Sequence, residues 1–403
     1  MHVRFLHVIT SVDRKTGGPV EALLQLGLVH QKLGHTIEVA SADAAWSPDL
    51  GEMPFPVHGL GPGKTSYAYC PRMAGWLKQH GPQFDAVIAH GLWQYPTNAV
   101  QALARKVPYF VYTHGMLDPW FNEQFLLKHI KKTVFWNAKL RKVLDEATGV
   151  IFTTEEEMER SIRSFFPFRW KGMVAPLGIS PPPTETIDSI LSSPSQFPEL
   201  KKRRFLLFFG RIHPKKGCDL LIEAFSRIAY EYPEVSLVMA GPGEPSYIEF
   251  LQKAVETAGL QDRVIWTGMI TGDSKWELLR SADAFLLPSH QENFGIAVTE
   301  ALAVHTPVLL SNKVQIWREV IRSGAGLVET DDLQGTELLL RRWLQLDDAE
   351  RMRFRSRAGE CFQSRFTAEQ AGGIVLREIL SMLRSSAATS VVLKEFSSNY
   401  MLG

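Results

Sequence analysis

Only three of the 403 residues are cysteine, and Cys70, Cys218 and Cys361 lie far apart with no Cys-x-x-Cys arrangement. An odd, scattered set excludes a disulfide framework and a paired-thiol zinc site, and it suits a reducing cytoplasm. Long apolar runs are absent too: nothing approaches the roughly 18 consecutive apolar residues of a membrane span. The opening stretch Met1-His2-Val3-Arg4-Phe5-Leu6-His7 breaks its apolar run with His and Arg and lacks an export-signal layout. Charge of one sign is missing as well. Lys and Arg number 44 against 43 Asp and Glu, a net +1, so no bulk field favours a nucleic-acid partner. Two familiar devices also fail. The stretch Gly59-Leu60-Gly61-Pro62-Gly63-Lys64-Thr65 has the tail of a phosphate loop, but the required first glycine is replaced by His58. No two aspartates are separated by a single residue, so an Asp-x-Asp metal motif is absent and no catalytic metal is expected.

What is present describes a globular chain: 45% hydrophobic and 22% charged residues, enough to bury real cores. The length implies more than one domain, two being the simplest reading. Apolar runs at Val3–Ile9, Thr36–Ser41, Ala86–His90, Tyr109–Thr113 and Val150–Thr154 alternate with helical patterns such as Pro19–Leu33, which Gly34 stops. The second half repeats this with Phe205–Gly210, Val235–Ala240, Val264–Thr267, Ala284–Leu287 and Val308–Ser311. Alternation of this kind predicts two doubly wound α/β domains, each with a parallel sheet. The first domain is expected over 1–178, a Pro/Ser/Thr-rich linker over 179–203 and the second domain over 204–366. A terminal helix within 367–403, with Thr367 as N-cap, is expected to rejoin the first domain.

In open parallel sheets, ligands bind beyond the carboxyl ends of strands, so the loops after strands are the candidate sites. Gly17-Gly18-Pro19 opens the first helix, where free amides and the helix dipole suit a phosphate; an ordinary tight turn explains it equally well. His114-Gly115-Met116-Leu117-Asp118-Pro119-Trp120 follows the fourth strand. There His114 is a candidate for hydrogen bonding or proton coupling to a substrate, with a structural role as the alternative. His90-Gly91-Leu92-Trp93 is a lesser candidate of the same kind. Gly210-Arg211-Ile212-His213-Pro214-Lys215-Lys216-Gly217 sets three fixed cations between glycines, and Arg211 and Lys216 are the residues best suited to a diphosphate. After Ala284–Leu287 come Glu292, Asn293, Phe294 and Gly295 in a loop and Glu300 on the next helix. Carboxylates there accept hydrogen bonds from paired sugar hydroxyls, while the amides of Asn293, Phe294 and Gly295 meet phosphate oxygens. Solvated helix-start charges are the plain alternative.

Gly210-Arg211 followed by Lys216-Gly217, with Glu292-Asn293-Phe294-Gly295 and Glu300 in an E-x7-E arrangement, resembles the retaining glycosyltransferases of family 4 over nearly the whole chain. The resemblance implies the GT-B fold, two Rossmann-like domains facing a central cleft. It also implies transfer of a hexose-type sugar from a UDP- or GDP-linked donor to a glycan or lipid-linked acceptor in bacterial surface polysaccharide or glycolipid synthesis. By resemblance Arg211 and Lys216 neutralise the diphosphate, Glu300 holds the ribose, Glu292 contacts the transferred sugar, and His114 hydrogen-bonds that sugar. The donor is a co-substrate; no cofactor is implied. The base is met by backbone and variable segments such as Met269 and Ile270. Asn293 departs from the family, many members having Gly there. A nucleotide-sugar epimerase of the same fold and a catalytically silent nucleotide-sugar-binding subunit stand as rivals.

Residues 128–143 carry Lys128, Lys131, Lys132, Lys139, Arg141 and Lys142 with an apolar side of Ile130, Val134, Phe135, Trp136, Leu140 and Val143. Residues 165–171, Phe165-Phe166-Pro167-Phe168-Arg169-Trp170-Lys171, form a second aromatic and basic patch. Together they suit a cytoplasmic protein held peripherally on the inner face of an anionic membrane. A core-packed helix with a solvated basic face is the competing reading.

Overall fold

The computed structural model describes residues 2–119, 126–182, 200 and 203–400; Trp120, most of the 179–203 linker and the side chains of 126–128 and 385–400 lie outside the description. The chain divides into two compact units, residues 1–178 with 368–403, and residues 179–367.

The first unit is built on a seven-stranded sheet, β1 (Arg4–Ile9), β2 (Thr36–Ala44), β3 (Val57–Gly61), β4 (Ala86–His90), β5 (Tyr109–Tyr112), β6 (Gly149–Phe152) and β7 (Gly172–Val174). Its order is β3-β2-β1-β4-β5-β6-β7, with every pairing parallel. Parallel neighbours need crossovers, and helices on both faces leave the strands buried on both sides. Residues alternate between faces, so one core gathers Phe5, Ile88, Phe110 and Tyr112 while the other gathers Leu6, Val87, Val111 and Trp136. His7 and His90 sit in this register too, His7 opposite Ile88 and His90 opposite Tyr112, and both are buried.

Helix Gly18–Lys32 starts after Gly17 and ends before Gly34, both at positive φ (94° and 86°), where a side chain would be strained. Helix Ala368–Tyr400 lies against it. A Cβ on Gly372 would stand 2.6 Å from Val29, and Gly372 O lies 3.1 Å from His30 Nε2, so this glycine permits the close approach.

The basic segment 126–145 departs from the expected single amphipathic helix. It runs as an α-helix over Leu126–Phe135, a π turn over Trp136–Leu140 and a short helix Arg141–Asp145. Trp136, Leu140 and Val143 belong to the core, whereas Ile130 and Val134 are 54% and 65% exposed. In the second patch Phe165 is buried and Phe166 is 79% exposed. Among the described residues no helix is long and apolar enough to cross a membrane.

The second unit holds a six-stranded parallel sheet of β8 (Arg204–Phe209), β9 (Val235–Ala240), β10 (Val264–Gly268), β11 (Ala284–Leu287), β12 (Val308–Ser311) and β13 (Gly326–Glu329). Its order is β10-β9-β8-β11-β12-β13. Asp283, just before β11, receives hydrogen bonds from Trp343 Nε1 (2.8 Å) and Arg204 Nε (2.7 Å), which ties helix Leu333–Leu344 to the strand ends. The strands absent from the sequence reading are β3, β7 and β13. All three are sheet edges of three to five residues, too short or too glycine-rich to show a period of two.

Candidate functional site

In the second sheet the strand order reverses between β8 and β11, the place where open α/β sheets form a crevice for ligands. The loops leaving those two strands are Gly210–Gly217 and Pro288–Gly295, and they are locked together. Gly217 takes φ 66°, and a Cβ there would sit 2.2 Å from Pro288 O. The backbone N–H of His290 donates to Lys215 O at 2.9 Å. Residues Pro214–Lys216 form a 3-10 turn capped by His213, whose ring Nδ1 accepts from Lys215 N at 3.1 Å. That turn directs Lys216 inward to an ion pair with Glu292, while Arg211 stays exposed. Burial, then the charges of Lys215 and Arg211, pull the Lys216 ammonium down to about 7. An anion arriving at this lysine would reverse that pull.

Glu292 is fixed through its backbone, its N–H donating to Lys313 O (3.0 Å) and its carbonyl accepting from Gln315 N (3.1 Å). Gly295, at φ 77°, turns the chain into helix Ile296–Ala303. Glu300 on that helix accepts from Lys275 Nζ at 2.8 Å, and the same ammonium lies 4.2 Å from the centre of the Trp276 ring. The arrangement is two carboxylates, each held by a lysine, beside a cationic loop. Asn293 is half-buried, and Phe294 is buried edge-on to Phe366 at 5.8 Å. Met269 is 61% exposed at the end of β10 and Ile270 turns inward.

In the first unit the order reverses between β1 and β4. Gly17 caps its helix from an exposed position where a Cβ would meet none of the described residues within 4 Å, and Gly18 is the first helical residue. His114 follows β5 at φ 50°, an unusual conformation for a residue other than glycine. It stacks on Tyr112, with ring centroids 4.6 Å apart and planes 9° apart. Its Nε2 lies 3.0 Å from His90 Nδ1, and His90 Nε2 lies 2.8 Å from His7 Nδ1. Burial drives all three imidazoles toward the neutral form: His7 and His114 fall to about 3, and His90 falls well below its usual range.

The loop that carries His114 is held by Glu157, a buried carboxylate that accepts from Thr113 Oγ1 (2.5 Å), Gly115 N (2.7 Å), Thr153 N (2.6 Å) and Thr153 Oγ1 (2.7 Å). Burial raises its pKa and these four donors oppose the rise.

Residues 17–178 match the model for the glycosyl transferase 4-like domain, and residues 192–360 match the model for glycosyl transferases group 1. The chain carries both glycosyl transferase domains. Similar proteins include the phosphatidyl-myo-inositol mannosyltransferase of Mycobacterium leprae, 32% identical over 34% of this chain and 36% of that protein. Another is the lipopolysaccharide core biosynthesis mannosyltransferase LpsB of Rhizobium meliloti, 29% identical over 33% of this chain and 39% of that protein. The chain spans less than half the length of the curated relatives it matches, as in the 27% covered of an uncharacterized glycosyltransferase of Methanocaldococcus jannaschii. Among solved structures, Anabaena HepE in complex with UDP and glucose is similar at a TM-score of 0.74, with 19% identity over 94% of this chain and 100% of that one. WaaG, a glycosyltransferase involved in lipopolysaccharide biosynthesis, is similar at 0.67, with 18% identity over 93% and 99%. At such identities the fold is what they share, and this glycosyl transferase has the GT-B architecture of two Rossmann-like α/β units.

Sequence reasoning missed Lys275, Glu157 and His7. Lys275 and Glu157 lie on helices with no motif spacing. His7 alternates in register with core residues of β1, and only strand pairing brings it to His90.

Proposed function

We propose that the chain is a retaining transferase that moves a hexose from a nucleoside-diphosphate sugar, UDP- or GDP-linked, to a glycan or lipid-linked acceptor. The observation that carries the reading is the convergence of Lys216, Arg211, Glu292 and Glu300 at the switch point of the second sheet. Arg211 and Lys216 meet the diphosphate, and the negative charge that develops on the leaving group raises the Lys216 pKa back from about 7. With the diphosphate neutralised by side chains, the reading requires no metal. Glu300 accepts from the ribose hydroxyls and Glu292 from the transferred sugar, with their lysines shifting to the phosphates. Asn293, Phe294 and Gly295 offer backbone N–H groups at the start of helix Ile296–Ala303, and Met269 and Ile270 flank the base. Gly17 and Gly18 expose the amides of the first helix, and His114 bonds a sugar hydroxyl. The names of the relatives above, which act on phosphatidyl-myo-inositol and lipopolysaccharide core, support a lipid or surface-glycan acceptor. Exposed Ile130, Val134 and Phe166 near Lys131, Lys139 and Arg169 support peripheral contact with an anionic membrane from the cytoplasmic side.

A thermal-shift panel of UDP- and GDP-sugars tests the reading, because a ligand at about a hundred times its Kd adds about 2.7 kcal/mol of stability. One donor is expected to raise the midpoint clearly, and Lys216→Ala to abolish that rise and lower transfer by roughly 10²–10³. Equal response of the variant and the parent protein sinks the assignment.

A further inference from the structure

We propose that the chain His7–His90–His114, buried at His7 and His90, sets the tautomer of His114, so that this residue presents Nδ1–H as a hydrogen-bond donor and selects a ligand oxygen that accepts. Its consequence for sugar transfer rests on the reading above; the tautomer itself does not.

His7 Nδ1 lies 2.8 Å from His90 Nε2, and His90 Nδ1 lies 3.0 Å from His114 Nε2. Neutral imidazole carries one N–H and one lone pair, so each contact needs one donor and one acceptor. Burial keeps all three rings neutral. Two arrangements then satisfy both contacts. In the first, His7 Nδ1–H donates to His90 Nε2, His90 Nδ1–H donates to His114 Nε2, and His114 carries its proton on Nδ1. In the second every proton moves to the other nitrogen, and His114 Nδ1 becomes a bare acceptor.

The far end of the chain decides between them. His7 Nε2 is buried and no group among the described residues bonds it. The first arrangement leaves a lone pair there; the second leaves an N–H. Orphaned buried N–H groups are the rarer outcome, so the first arrangement prevails and the polarity is passed along both contacts to His114.

The surroundings prevent His114 from escaping this choice by turning its ring. Tyr112 stacks flat on it and is itself anchored by its hydroxyl, which donates to Ala175 O at 2.6 Å. The backbone on either side is held by Glu157 through Thr113 Oγ1 and Gly115 N. His114 keeps a positive φ of 50°, an uncommon backbone conformation for a residue with a side chain. His90 and His7 are therefore positioning residues: they act on a ligand only through the proton they fix on His114.

The experiment is long-range 1H–15N correlation on histidine-labelled full-length protein at neutral pH, with His114 assigned by the signals lost in His114→Asn. The expected pattern is a protonated, pyrrole-type Nδ1 and a pyridine-type Nε2. A protonated Nε2, or a doubly protonated ring, overturns the proposal. His90→Asn keeps an amide N–H where Nδ1 stood and should preserve the pattern; His90→Phe removes the donor and should give mixed tautomers. An unmixed Nδ1–H signal in a folded His90→Phe protein overturns the role of the chain. Donor-sugar transfer gives the separate arm: His114→Asn, which still donates, should retain at least tenfold more activity than His114→Asp, which only accepts. Equal activities reject the donor role in transfer while the spectrum still decides the tautomer, and failure of transfer in the parent protein bears on the functional reading alone.

Discussion

Lowering the pH from 7 to 5 is expected to destabilise the first unit far more than acid alone would. His7, His30 and His90 are buried, and burial lowers their pKa to about 3, to about 4 and well below 6.5 respectively. On unfolding each regains an ordinary value near 6.5 and takes up a proton. Because the folded values are depressed, the stabilisation is complete above about 6.5 and is lost as pH falls toward 3 to 4. At pH 5 His7 and His30 each cost RT ln(1 + 10^1.5), about 2 kcal/mol, and His90 acts in the same direction. Half-buried His114, lowered to about 3, adds up to about 2 kcal/mol more, for a total near 6 kcal/mol. Glu157 runs the other way, its raised pKa favouring the folded state only as pH drops toward its ordinary 4.5. A whole domain commonly has about 5–15 kcal/mol of stability, so the loss consumes a large share of it. Urea unfolding followed by circular dichroism at pH 7, 6 and 5 should give a slope near pH 5 of about 4 kcal/mol per pH unit in the transition of this unit. His30→Asn should flatten the slope by about a third. A urea midpoint that barely moves between pH 7 and 5, or a slope unchanged in His30→Asn, would refute the neutral-histidine core.

Two substitutions probe the backbone around the sites. Gly217→Ala forces a side chain into φ 66° with its Cβ 2.2 Å from Pro288 O, and the backbone strain alone is worth about 1–3 kcal/mol; calorimetry should show the second unit melting earlier while the first is unmoved. Glu157→Ala strands the N–H groups of Gly115 and Thr153 at about 1–3 kcal/mol each, and denaturant titration should report the loss in the first unit, with Glu157→Gln milder.

Much of the architecture was legible because parallel strands buried on both faces leave unbroken apolar runs, as in Ala86–His90 and Ala284–Leu287. Their carboxyl-end loops could be found from those runs, which is why Arg211, Lys216, Glu292 and Glu300 were named from sequence. The partners of these residues were not legible. Lys275 reaches Glu300 across 25 positions and His90 reaches His7 across 83, contacts that only sheet order creates. The segment 126–145 was legible only in part. Its helical period is real, but the π turn at Trp136–Leu140 rotates the apolar stripe, burying Trp136 and Leu140 and leaving Ile130 and Val134 outside.

The return of the chain to the first unit at residue 368 has a consequence for how the protein is made. A ribosome delivers all of 179–367 before it delivers the helix that covers Val20, Leu23 and Leu26 through Val375, Leu376 and Ile379. The unit whose strands are synthesised first is thus the one completed last, with the groove beside Val29 and His30 open until Gly372 emerges. A domain normally closes as it is translated; here the inserted unit has its whole sequence available earlier, and assembly of the first waits on the helix that begins at residue 368.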